Sequence, residues 1–305
     1  MAARRTDPAG KDRDEDGVES IEIHTADGHA LRATVREPAR GASFRGVAVL
    51  AHAMFARRSE WEKAGFARHL CDRGWRTIAF DFRGHGDSGK SASQGGDWTY
   101  DDLVQRDLPA VTEGARARAK GKRVIVVGHS LGGHVAMAAR ATGAIDVDGL
   151  ALIATNVWLP ETETSRPRWL AKVAIARAFE ETRVRRGFFP ARALRLGSDD
   201  ESAAYSANMW RIVRGFWGSE DGRVDYWDAA RRVRVPIFAL ASDGDPINAH
   251  VDCAARFALR AAGTVTFERL GASDDGGDAP GHMEMLTRGK SVSAWGKLET
   301  WMGNI

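Results

Sequence analysis

The feature that most constrains this chain is a series of short, largely apolar runs, each bounded by turn residues and followed by a helix-length segment. Gly46 to His52 (GVAVLAH), Thr77 to Phe82, Lys122 to Val127 (KRVIVV), Val147 to Ala154, Val235 to Ala241 and Thr264 to Leu270 follow the pattern. A strand without apolar–polar alternation is buried on both faces, which marks a parallel sheet covered by helices. Between the runs, Ser59 to Arg73 carries Ala64, Phe66, Ala67 and Leu70 at helical spacing, with Ser59 as cap, Glu62 three residues on and Gly74 at the close. Tyr100 to Ala119, the Ala-rich Leu131 to Ala141, Asn248 to Ala262 and Met283 to Met302 are the other expected helices. Such alternation predicts an α/β fold with a mostly parallel central sheet and helices on both faces. Ile21 and Ile23, then Leu31, Ala33 and Val35, alternate on either side of Ala26-Asp27-Gly28, an antiparallel hairpin expected at the edge of the sheet.

Composition limits the function classes. Of 305 residues 43% are hydrophobic, enough for one large core or two modest ones. Lys and Arg number 44 against 41 Asp and Glu, a formal charge of +3 with no dense basic run, so no nucleic-acid footprint is expected. Cys71 and Cys253 are too few for a disulfide scaffold or a Cys-based zinc site, and both fall in apolar stretches that suit buried free thiols. The histidines lack a paired spacing such as H-E-x-x-H, so neither metal nor cofactor is expected. No run of 18 apolar residues exists, and no apolar segment follows Arg4 and Arg5, so a soluble cytoplasmic protein without a membrane span or signal is expected.

Residues 1–18 carry charge, Pro and Gly without periodicity and are expected to be a disordered tail. Residues 19–156 and 235–305 hold the strand–helix alternation; residues 157–234 interrupt it. That interruption is helical in flavour, has fifteen Lys/Arg against eleven Asp/Glu, and contains five of the ten tryptophans. It is expected to be a helical cap laying aromatic surface over a site, with Trp158, Trp210 and Trp217 as candidate substrate contacts. The plainer alternative is a second small core inside the insertion, which would take at least half of the five.

Gly128-His129-Ser130-Leu131-Gly132 matches the G-x-S-x-G pattern of a nucleophile elbow. The pattern alone is weak, but here the Ser directly follows a β-branched strand and precedes an Ala-rich helix. A sharp strand–turn–helix lifts a Ser Oγ clear at the carboxyl end of a sheet, with a helix N-terminus behind it favouring negative charge. A nucleophilic Ser needs a base and an orienting acid. After the fifth apolar run comes Ser242-Asp243-Gly244-Asp245-Pro246, and after the sixth a polar loop leads to Gly281-His282. His282 is the candidate base. Asp245, placed where the next helix begins, is preferred as acid, with Asp243 as the alternative. Two N–H donors are needed for a developing oxyanion. Leu131, next to the nucleophile, supplies one; Met54, in His52-Ala53-Met54 after the first apolar run, is the expected other.

With these residues in view the chain resembles a cap-bearing α/β-hydrolase over about residues 19–300. The resemblance rests on LAHAMF (50–55), FDFRGHGDSG (80–89), VGHSLGG (127–133), ASDGDPI (241–247) and GHMEML (281–286), in that order. It implies a Ser130–Asp245–His282 triad with oxyanion amides from Met54 and Leu131. One departure is Ala53, where the family usually has Gly, which puts a different loop backbone in prospect. Ser at 130 sets the chain apart from branches with a carboxylate nucleophile. His85 and Asp87 are expected to order their loop, and His52 to fix the oxyanion loop; His129 and His134 carry no chemistry in this reading. The expected activity is hydrolysis of a small-molecule carboxylic ester, thioester or amide through an acyl-enzyme. Alternatives are acyl transfer with the same residues or a non-catalytic ligand-binding member of the fold.

Overall fold

Alternate residues of a strand face opposite sides of a sheet, and here they enter two separate cores. In the computed structural model, which describes residues 17–272, 278–286 and 291–305 and the backbone of 5–6 and 12–13, Val47, Val49 and Ala51 belong to one apolar cluster. Ala48 and Leu50 belong to another. Val124 and Val126 divide from Ile125 and Val127 in the same way. This two-sided burial is why these segments read as continuous apolar runs.

The strands are β1 (Arg5–Thr6), β2 (Asp12–Arg13), β3 (Val18–His24), β4 (Ala30–Arg36), β5 (Gly46–Ala51), β6 (Trp75–Phe80), β7 (Arg123–His129), β8 (Gly149–Ile153), β9 (Ile237–Ser242) and β10 (Val265–Leu270). They form one sheet in the order β1-β2-β3-β4-β6-β5-β7-β8-β9-β10. From β6 to β10 all neighbours are parallel, whereas β3 and β4 pair antiparallel and β4 lies antiparallel to β6. The expected edge hairpin is therefore present, and β1 and β2 extend it by two short antiparallel strands. These short strands, and Val18 of β3, fall within residues 1–18, expected as a disordered tail; the remainder of 1–16 lies outside the described residues.

The helices are α1 (Ser59–Lys63), α2 (Phe66–Cys71), α3 (Tyr100–Asp102), α4 (Leu108–Arg118), α5 (Leu131–Ala141), α6 (Arg166–Arg186), α7 (Ala203–Val213), α8 (Tyr226–Ala229), α9 (Val251–Ala258) and α10 (Val292–Asn304). A π turn over Leu103–Asp107 joins α3 to α4, giving the single long segment expected. The expected helix over 59–73 is divided: Gly65, at φ 77°, takes a left-handed conformation between α1 and α2. Nor does Ser59 cap it. Arg58 occupies the cap position with its amide on Asp81 Oδ1 (2.6 Å), and Glu62 is drawn away to Arg36 (2.8 Å). The C-terminal helix begins later than expected, at Val292, after a single turn at Glu284–Leu286; residues 287–290 lie outside the described ones.

Between β8 and β9 the chain leaves the sheet to form α6, α7 and α8. This insertion is tied to the segment before α3 and to α3 itself. Ser202 Oγ donates to the Trp98 carbonyl (2.5 Å), the Tyr100 amide to Asn208 Oδ1 (3.1 Å), and the Tyr226 hydroxyl to Asp101 (2.6 Å). Among the described residues no helix is long and apolar enough to cross a membrane. Cys71 and Cys253 are both buried and free.

Candidate active site

Ser130 sits at the junction of β7 and α5 with φ 51° and ψ −111°, a backbone conformation that side chains with a Cβ rarely adopt. Two hydrogen bonds hold the turn in that state. The Ser130 amide donates to the Ile153 carbonyl on β8 (2.9 Å), and the Gly132 amide to the His52 carbonyl just after β5 (3.1 Å). A Cβ on Gly132 would collide with the Ala51 carbonyl, so only glycine lets the helix start lie this close to β5. The Leu131 amide opens α5 and has no acceptor within the helix, as for any first-turn N–H.

His282 Nδ1 bonds Asp245 Oδ2 at 2.5 Å. Asp245 is 2% exposed. Its Oδ1 accepts from the Asn248 amide and its Oδ2 from the Ala249 amide, both at 3.0 Å. Burial works against its ionisation, but the His282 bond and charge and the two amides outweigh it and hold its pKa below the ordinary carboxylate value. Asp243 is directed elsewhere, to Arg269 at 2.9 Å on a half-exposed surface. Of the two sequence candidates, then, Asp245 is the one in contact with His282. His129 Nε2 donates to the His282 carbonyl (3.0 Å), so the variable residue of the elbow steadies the histidine loop from below.

The loop after β5 carries the substitution of Ala53 for glycine. His52 Nδ1 donates to the Ala53 carbonyl (2.8 Å) while its Nε2 accepts from the Phe82 amide (3.0 Å), so His52 fixes the loop as expected. The positive φ falls two residues later, on Phe55 (64°). Met54 packs under the insertion, with the Tyr205 hydroxyl 3.5 Å from its Sδ. Beside it, Phe55, Phe179 and Phe189 stack with centroids 5.8, 5.6 and 3.7 Å apart. Sequence reasoning missed this aromatic wall; its one visible signal was the Phe188-Phe189 pair closing a helical segment.

Trp217 departs from expectation. It is 1% exposed, packs on Tyr226 and Phe257, and donates from Nε1 to the Tyr100 hydroxyl (3.0 Å), which in turn bonds His134 Nδ1 (2.9 Å). It belongs to the main core that joins insertion and sheet, neither a substrate contact nor part of a separate core inside the insertion. Trp158 bonds the Asn248 carbonyl (3.0 Å), on the loop whose amide holds Asp245. Trp210 is half-buried on α7. Asp87 bonds Arg58 (2.7 Å) and orders its loop. His85, also expected only to order that loop, reaches across to Glu201 of the insertion (3.0 Å). Among the described residues no group of three His, Cys, Asp or Glu could hold a metal ion.

Three buried histidines make stability depend on pH. Burial, with the nearby His85 charge, pushes His52 well below its ordinary value; burial pushes His129 and His134 down to about 3. Each ring is neutral when folded but titrates near 6.5 when unfolded. Their stabilisation is therefore complete above about pH 6.5 and is lost as pH falls, since the unfolded chain then binds more protons. His85 runs the other way: burial opposes its charge, Glu201 more than restores it, and its pKa is raised. Its contribution is full below about pH 6.5 and constant across the acid window. Thermal melts followed by circular dichroism should show Tm lower by about 10 °C at pH 5 than at pH 7.5. A Tm unchanged over that range would mean that the three rings are charged in the fold.

The model of the family described as "Serine aminopeptidase, S33" matches residues 42–267. Comparison with curated protein sequences gives no match. Solved structures with the same fold include a highly thermostable carboxyl esterase from Bacillus coagulans in complex with glycerol (TM-score 0.67, 14% identity, covering 95% of this chain and 99% of that one). An esterase from Exiguobacterium antarcticum (0.62, 16%, 92% and 98%) and a monoacylglycerol lipase from Paleococcus ferrophilus (0.60, 18%, 90% and 98%) are similar in the same way. At such identities these likenesses speak for the fold, while the family match spans most of the chain from the loop before β5 to β10. The chain belongs to the serine aminopeptidase S33 family and is a hydrolase of the α/β-hydrolase fold.

Proposed function

We propose that the protein is a serine hydrolase that cleaves a carboxylic ester through an acyl-enzyme, with Ser130 as nucleophile, His282 as base and Asp245 as orienting acid. The observation that carries this reading is the 2.5 Å bond from His282 Nδ1 to a buried, amide-held Asp245, with the His282 carbonyl held by His129, the residue before a Ser in a strained strand–helix turn. Ser130 Oγ attacks the ester carbonyl carbon and its proton passes to His282 Nε2. The Leu131 and Met54 amides hold the resulting oxyanion. Collapse breaks the bond to the alkoxy oxygen, which leaves as the alcohol with the proton from His282. Water then repeats the sequence on the acyl-serine and releases the acid.

The insertion acts as a cap that selects the substrate. Its Phe179 and Phe189, stacked on Phe55, present a rigid apolar wall one residue from Met54, which suits an apolar acyl or alcohol group. The structurally similar proteins described as esterases and as a monoacylglycerol lipase support ester over amide. A panel of nitrophenyl esters of increasing acyl length, together with a fluorophosphonate probe, tests the proposal. Turnover on part of the panel, and stoichiometric labelling that peptide mass spectrometry maps to Ser130, are expected. Absence of turnover on every ester, or a label mapped to another residue, would overturn it.

A further inference from the structure

We propose that Glu201, on the insertion, is a positioning residue for the oxyanion loop: paired with His85, it fixes the peptide plane that follows Met54. The inference rests on the reading of Met54 as an oxyanion donor and deepens it, because it makes the insertion part of the machinery that holds the donor in place.

The orientation of a backbone N–H is set by the peptide plane it belongs to. The Met54 N–H shares its plane with the Ala53 carbonyl, which His52 Nδ1 holds at 2.8 Å. The next plane contains the Phe55 N–H, which donates to Glu201 Oε1 at 3.2 Å. Met54 is thus clamped from both sides, by a core histidine before it and by a carboxylate of the insertion after it. The second clamp has work to do, because Phe55 at φ 64° is in the left-handed region, costly for a residue with a Cβ unless its surroundings enforce it.

Glu201 is placed to enforce it. Its side chain is 1% exposed and that of His85 is wholly buried. Oε1 accepts from both the Phe55 amide and His85 Nε2, while Oε2 is buried without a partner. His85 Nδ1 lies 3.1 Å from the Arg83 carbonyl, which can only accept, so both ring nitrogens donate and the pair is an imidazolium facing a carboxylate. A buried carboxylate with one unpaired oxygen is costly, and it persists where another group depends on it. The neighbouring residues reinforce the same segment. The Phe55 carbonyl accepts from the Ser198 (2.7 Å) and Asp199 (3.1 Å) amides, and Arg57 forks onto Asp199 (2.8 and 2.7 Å). Gly197 permits the approach, since a Cβ there would collide with Phe55. Both polar groups of the Phe55 backbone are therefore held by residues 198–201 of the insertion.

Steady-state kinetics on the best ester of the panel test the role. Glu201→Ala frees the second plane while the His52 clamp persists, so kcat should fall about 10- to 100-fold, less than the loss of a whole oxyanion donor. KM should stay within about threefold, because the loss is confined to the transition state. Glu201→Gln, which keeps an acceptor oxygen for the Phe55 amide, should recover kcat to within about fivefold of wild type. If the alanine variant does not fold, Glu201→Asp, one methylene too short to reach, takes its place under the same criteria. A kcat within threefold of wild type, a loss confined to KM, or a glutamine variant as impaired as the truncated one would each overturn the role of Glu201. A wild-type protein without ester turnover would instead defeat the hydrolase reading beneath it.

Discussion

Replacing Asp245 with Asn should lower kcat about 10⁴-fold, while Asp243→Asn should leave it within about threefold of wild type. Asp245 accepts the Nδ1 proton of His282 at 2.5 Å and is itself oriented by the Asn248 and Ala249 amides. In the proposed mechanism that arrangement keeps the proton on Nδ1 and leaves Nε2 to take the serine proton. An asparagine of the same shape can turn its amide N–H toward Nδ1, which selects the other tautomer and removes the base. Asp243, bonded to Arg269 on the surface, has no such partner to misdirect. Steady-state rates of the two variants, with circular dichroism to show that both are folded, decide between the carboxylates. A severe loss in the Asp243 variant with normal rates in the Asp245 variant would reverse the assignment.

The fold was legible because its central strands are buried on both faces, and such strands leave a local signal. GVAVLA and KRVIVV need no partner sequence to be recognised. Local signals also misled where a distant group competed. Ser59 and Glu62 have the spacing of a capping box, yet Asp81 takes the Arg58 amide and Arg36 takes Glu62, and neither partner lies within the helix. In the candidate site, the strand–turn–helix around Ser130 and the place of His282 after β10 were legible in the sequence. The choice between Asp243 and Asp245 depended on which side of one short loop faces His282, and that is set by the amides of residues 248 and 249.

What could not be read was every contact made by the insertion. Glu201 and His85 are 116 residues apart, and nothing near either residue marks the other. The tryptophans illustrate the same limit. Their concentration in the insertion was visible, but whether a ring faces a site or a core depends on which surface the insertion lays down. Trp217 went to the core because Tyr100 offers its Nε1 an acceptor there and Phe257 a face to pack on. The aromatic wall beside Met54 was supplied by phenylalanines instead.

Ser130→Ala should abolish turnover, with a kcat reduction of about 10⁶-fold, and adding Asp245→Asn to it should cost almost nothing more. The expectation follows from the proposed mechanism, in which the three side chains act on one event. In that mechanism Asp245 would matter only through the tautomer of His282, and His282 only through the proton of Ser130, so once the hydroxyl is gone the others would have nothing to assist. Residual hydrolysis in the single and double variants would then come from binding and from the Leu131 and Met54 amides, which neither substitution touches. Independent contributions would behave differently, since the two losses would multiply to about 10¹⁰-fold. Measuring both variants against the uncatalysed rate separates the cases. Multiplicative losses would mean that Asp245 does not act through Ser130. A Ser130→Ala protein retaining more than about a hundredth of wild-type kcat would mean that the nucleophile lies elsewhere. The substitution itself should leave the fold intact, because the turn is held by the Ser130 and Gly132 amides and makes no use of the hydroxyl.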